Sequence, residues 1–156
     1  MREVVEEAAD LMRKNEPCVV ATVVRTKGST PQKAGAKLLV RSDGTGVGTL
    51  GGGRVEGDIW FAAKMLLSEG GESTVTDYLL NEDIAAREGL VCGGTMYFLI
   101  DPVREFGSLS SPVSKIVDAY EGGSSVGQAT LLKPSKRKGK VGDKLFLEAD
   151  GATSGS

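Results

Sequence analysis

The chain has 156 residues, with 19 lysines and arginines against 21 aspartates and glutamates, two cysteines and no histidine. That length buries a core without disulfide or metal staples, and the near-balance of charge recommends neither nucleic acid nor a membrane surface as a partner. Zinc, copper and iron sites lose their commonest ligand, no apolar run reaches the length of a membrane span, and the charged N-terminus is no signal peptide, so no metal site and a cytoplasmic address are expected.

In chain order, Val4, Val5, Ala8, Leu11 and Met12 recur at helical spacing, and Pro17 closes that helix. The run CVVATVV that follows is nearly all apolar and β-branched, which predicts a buried strand and puts Cys18 in the core. RTKGSTPQKAG predicts a basic loop, and AKLLVRSDGTGVGTL predicts two strands joined by a hairpin at Asp43 and Gly44. VEGDIWFAAKMLLSEG has the apolar face Ile59, Ala62, Ala63, Leu66 and Leu67, a helix that packs on the sheet and stops at Gly70. TVTDYLL reads as a strand, NEDIAARE as an acidic turn or short helix, and TMYFLID as a strand entered through VCGG and closed by Pro102. These elements define an α+β fold, a mixed sheet with an Asp-Gly hairpin and packed amphipathic helices.

The last third resembles the first. Aligning ATVVRTKGSTPQKAGAKLLVRSDGTGVGT with ATLLKPSKRKGKVGDKLFLEADGATSGS, with one residue skipped, pairs Ala21 and Thr22 with Ala129 and Thr130. It also pairs Gly35, Lys37, Leu38, Asp43, Gly44 and Gly48 with Gly142, Lys144, Leu145, Asp150, Gly151 and Gly155. A helix, SPVSKIVDAYEGG, precedes the second copy as one precedes the first, so an internal duplication is expected. Residues 1–102 then form one unit with the candidate site, and 103–156 a partial, structural repeat packed on the same domain.

Only the first copy runs on into LGGGRVEGD, residues 50–58, where three glycines sit between a strand and a helix. Glycines at positive φ turn backbone N–H groups inward, and the helix start adds unpaired donors, so Gly51, Gly52 and Gly53 suit a phosphate or carboxylate. The alternative is a tight turn that simply needs glycine. GVGTLG, residues 46–51, matches a dinucleotide fingerprint, but its first two glycines fall inside the hairpin arm, out of register with the helix such a fingerprint must open.

GSTPQKAGAKLLVRSDGTGVGTLGGGRVE followed by GLVCGGTMYFLIDP closely resembles the XdhC/CoxI family over roughly residues 1–102. These are accessory proteins that mature molybdenum hydroxylases such as xanthine dehydrogenase and carbon monoxide dehydrogenase. The resemblance implies binding of the molybdenum cofactor, a pterin dithiolene carrying phosphate or a dinucleotide, as cargo for delivery to the apo-hydroxylase. Gly51, Gly52, Gly53 and Glu56 match one family signature and Cys92, Gly93 and Gly94 the other. Arg54 stands where the family commonly has cysteine, and Tyr97 where it commonly has glutamate. Arginine offers a fixed fork to phosphate but donates no sulfur, which favours binding over catalysis. Many members also carry a carboxyl-terminal Rossmann domain, to which nothing in these 156 residues corresponds.

Two roles stand beside each other for most of these residues. Glu56 either accepts from the donor-rich pterin edge or simply complements the helix dipole. Cys92 is either an exposed, acidified thiol or a small buried apolar residue. Lys27 and Ser29 lie on a loop that either closes over an anion or is solvated, and KPSKRKGK, residues 133–140, reads as a solvated hairpin tip. Two further functions compete with the cofactor chaperone: a thiol enzyme using Cys92 for sulfur transfer or redox chemistry, and a cofactor-free module that forms a homo-oligomer through an open sheet edge.

Overall fold

Helix α1, Arg2–Lys14, buries Val4, Ala9, Leu11 and Met12, and ends at Asn15, whose φ of 55° is the left-handed conformation that closes a helix terminus. The computed structural model describes residues 1–80, 93–104, 106–135 and 139–155, so NEDIAARE, Cys92 and the middle of KPSKRKGK lie outside the described residues. Five strands form the first sheet: β1 Cys18–Lys27, β2 Lys37–Arg41, β3 Gly46–Gly48, β4 Thr74–Leu79 and β5 Thr95–Val103, in the order β3-β2-β1-β5-β4. A second sheet, β6 Val126–Thr130, β7 Lys144–Glu148 and β8 Thr153–Gly155, follows helix α3, Gly107–Tyr120.

The period-2 alternation of the strands decides what covers each face of the first sheet. Val19, Ala21, Val23, Leu38 and Val40 join Met96, Phe98 and Ile100 under helix α2, Gly53–Glu69, which contributes Val55, Ile59 and Ala63. Cys18, Leu39 and Val103 point the other way, against Val4, Leu11 and Met12 of α1. The Asp-Gly hairpin is anchored to α2 by the Trp60 indole, which donates to the Gly44 carbonyl at 3.1 Å. Gly46 lies so close under that indole that a Cβ there would stand 2.9 Å from the ring.

The fold is α+β, but both sheets are antiparallel throughout rather than mixed. Parallel neighbours need a crossover that lands beside its starting strand. Here α2 carries the chain from edge strand β3 to the opposite edge, β4, and β5 fills the gap by running against both neighbours. Pro102 does not close its strand: β5 continues to Val103, with Pro102 opposite Val19. The β4 pairing stops at Ile100, so the proline sits where β5 has a free side, the position at which a missing N–H costs no ladder bond. Lys27 likewise belongs to β1, opposite Thr95, and not to the following loop, because a register shift between Val23 and Arg25 lets the strand run on.

The two meanders share their registers. Ala21 stands opposite Leu38 and Thr22 opposite Lys37, as Ala129 stands opposite Leu145 and Thr130 opposite Lys144. Leu38 pairs with Gly48 as Leu145 pairs with Gly155. Their turns match too: Asp43 accepts the Thr45 N–H at 2.8 Å and Asp150 the Ala152 N–H at 2.9 Å. The halves are joined by an ion pair from Lys144 to Asp101 at 2.6 Å, with side chains only 14% and 9% exposed, and Asp101 also accepts the Ser73 hydroxyl.

Candidate functional site

Beyond β3 the chain makes one last strand-like bond, from the Thr49 N–H to the Lys37 carbonyl, then buries Leu50 and turns through Gly51, Gly52 and Gly53 at φ of 112°, 74° and 62°. All three lie where side chains are rarely tolerated. The inward N–H groups of this loop hold an anion that the chain itself supplies. Glu56, one turn into α2, folds back so that its Oε2 accepts the Thr49 hydroxyl at 2.6 Å, the Leu50 N–H at 2.7 Å and the Gly52 N–H at 3.2 Å. Burial pushes the carboxyl pKa up, but the Thr49 hydroxyl and the backbone N–H groups outweigh it and hold it below its ordinary value. All three bonds fall on one oxygen, and among the described residues nothing engages Oε1.

Two other predicted segments come up to this loop. Gly51 packs on the basic loop, where a Cβ would stand 2.8 Å from Pro31, whereas a Cβ on Gly52 would meet nothing within 4 Å. Gly94 abuts the same loop: its Cβ would lie 2.3 Å from the Ser29 carbonyl oxygen and 2.6 Å from that of Lys27. Gly28, at φ 73°, faces Gly94 in turn, so both glycines are needed for backbone to meet backbone. The Leu80 N–H donates to the Gly94 carbonyl, fixing that approach, and Gly93 is exposed beside it. Lys27 at the end of β1, Ser29, Gly51 and Gly52 in their loops, Gly53 and Glu56 in the first turn of α2, and Gly93 and Gly94 before β5 therefore gather at one end of the first sheet. Arg54 lies on the outer side of the helix start, 3.5 Å from Asp58, and Asp58 also accepts the Tyr78 hydroxyl. Tyr97 is engaged elsewhere, under the Arg25 guanidinium.

Cys18 is fully buried, and burial above all, with the nearby Asp101 and Glu7 charges, pushes its thiol up to about 12. It takes no part in thiolate chemistry. Thr49 is a site residue that the sequence did not single out, although its place seven residues before Glu56, across a glycine turn, is the local signal for it. Among the described residues no group of three metal-ligating side chains occurs, and no helix is long and apolar enough to cross a membrane.

Residues 3–78, which hold the glycine loop, Glu56, Lys27 and Ser29, match the model of the XdhC and CoxI family. Over that span the chain belongs to the XdhC and CoxI family. Among relatives, 127 residues are 28% identical to a probable xanthine dehydrogenase subunit of Bacillus subtilis strain 168, covering 80% of this chain and 38% of that one. A 50-residue stretch is 52% identical to the uncharacterized protein YqeB of Escherichia coli K12, 32% of this chain and 9% of that protein. The crystal structure of a xanthine dehydrogenase from Bacillus halodurans superposes with a TM-score of 0.73 at 28% identity, covering 95% of this chain and 44% of that one. This XdhC/CoxI chain thus spans less than half the length of these relatives.

Proposed function

We propose that this XdhC/CoxI chain binds the molybdenum cofactor as cargo and serves, without catalysing a reaction itself, as a chaperone in the maturation of a molybdenum hydroxylase of the xanthine dehydrogenase or carbon monoxide dehydrogenase type. The observation that carries the proposal is the one-sided grip on Glu56. Its Oε2 is held by a hydroxyl and two amides, which fixes the carboxylate and keeps it ionised, while Oε1 is left to accept from a ligand. A pterin edge is rich in N–H donors, and a pre-oriented carboxylate receives them without first losing side-chain freedom. Arg54, two residues earlier at the helix start, supplies the guanidinium for the phosphate, and Gly52 and Gly93, with nothing within 4 Å of their Cβ positions, let a flat ligand approach backbone.

The shared registers of the two meanders support treating 103–156 as a second copy of the β1-β2-β3 unit. Anaerobic titration with cofactor released from a hydroxylase, followed by pterin fluorescence, tests the site. Arg54→Ala and Glu56→Gln should each weaken binding by about 1 to 3 kcal/mol, the worth of a hydrogen bond to a charged group. Affinity unchanged in both variants would remove the site from this loop.

A further inference from the structure

We propose that the cavity between the two meanders is a second binding site, for a small organic anion that carries one carboxylate on an apolar body. The cavity measures about 350 Å³, within the size range of small-molecule pockets. Its walls are mostly apolar, with Val4, Ala8 and Met12 from α1, Val113 and Ile116 from α3, and Leu99 from β5. Four of its polar groups form matching pairs from the two meanders, Thr22 and Lys37 from the first and Thr130 and Lys144 from the second, and Asp101 of β5 and Gln128 of β6 also line it.

The pairs differ in one respect, and that difference specifies the ligand. Lys144 has a counter-ion, Asp101 at 2.6 Å, and that carboxylate is further occupied by Ser73. Lys37 has only a hydroxyl, Thr22 Oγ1 at 2.8 Å, and among the described residues no carboxylate lies within ion-pair distance of it. Burial lowers the Lys37 pKa, and the charges of Asp101 and Lys144 act on it in opposite directions. A partly buried ammonium without a counter-ion is costly, and an anion placed beside it removes the cost. With Lys144 balanced by Asp101, the cavity keeps one uncompensated positive charge, which fits one negative charge on an apolar stem. Gln128, on the cavity wall, donates one amide N–H to the Thr130 hydroxyl at 3.2 Å and has a second to offer a carboxylate oxygen.

Isothermal titration of the chain with decanoate, and with 1-decanol as the neutral analogue, tests this. Decanoate should bind saturably at one site, and Lys37→Met should weaken it by roughly tenfold or more, the loss of one charge-assisted hydrogen bond, while leaving the alcohol's affinity nearly unchanged. Lys37→Met should also raise the thermal midpoint, because it removes a buried charge without opening space. Ala8→Phe, which fills the cavity from α1, should abolish binding of both compounds. Absence of saturable decanoate binding to the unsubstituted chain would overturn the proposal, as would decanoate affinity retained in Ala8→Phe or in folded Lys37→Met.

Discussion

Glu56 and Lys144 show how much a single side chain's surroundings decide. The Glu56 carboxyl is held below its ordinary value of 4.5 in the folded chain, so the folded state binds fewer protons than the unfolded one as the pH falls. Its stabilisation is therefore fully present above 4.5 and is lost as the pH drops through the lower, folded value. Urea midpoints measured from neutral pH into acid should fall more steeply for the unsubstituted chain than for Glu56→Gln, and parallel curves would contradict the grip of Thr49 and Leu50 on that carboxylate. Lys144→Ala leaves Asp101 buried without its partner and should cost about 3 to 5 kcal/mol. Lys140, whose pair with Glu72 is exposed at 74% and 77%, should cost no more than about 1 kcal/mol on substitution by alanine. Denaturant unfolding of the two variants side by side checks the contrast. Cys18, with its thiol at about 12 in the core, should stay unlabelled by iodoacetamide until the chain unfolds.

At the scale of elements, local signals served where structure is local. Asp43 and Gly44 placed the hairpin because an Asx turn and a positive φ need those residue types within four positions. The apolar stripe of α2 and the glycine after it placed both the buried face and the C-terminus. Pro102 misled because its tolerance depends on β4 ending at Ile100, which no residue near Pro102 records. The antiparallel order was hidden for the same reason, since β5 inserts between strands distant in sequence. Glycines separate by element as well. Gly57, inside α2 with nothing within 4 Å of its Cβ position, should tolerate alanine with a gain of about 0.5 to 1 kcal/mol. Gly48, at φ 91° with the Lys37 carbonyl oxygen 2.3 Å from that position, should lose about 3 kcal/mol or more. Opposite shifts in thermal midpoint are expected, and shifts of one sign would contradict these element assignments.

Over the whole molecule, two similar meanders meet across α1 and α3, and the pair from Lys144 to Asp101 of β5 ties the second to the first sheet. The candidate cofactor site was largely legible, because Gly51, Gly52, Gly53 and Glu56 act within a few residues of one another and the family signatures lie in order along the chain. Lys37 was not, since it reads as one more strand residue until the second meander closes over it. The proposed function depends on the whole assembly of loops at the sheet's end, and one measurement tests it most directly: size exclusion of the chain after anaerobic incubation with molybdenum cofactor, following molybdenum, pterin fluorescence and protein together. Co-elution of all three at a fixed ratio, lost in Arg54→Ala, is the predicted result. Molybdenum and pterin eluting apart from the protein would contradict it.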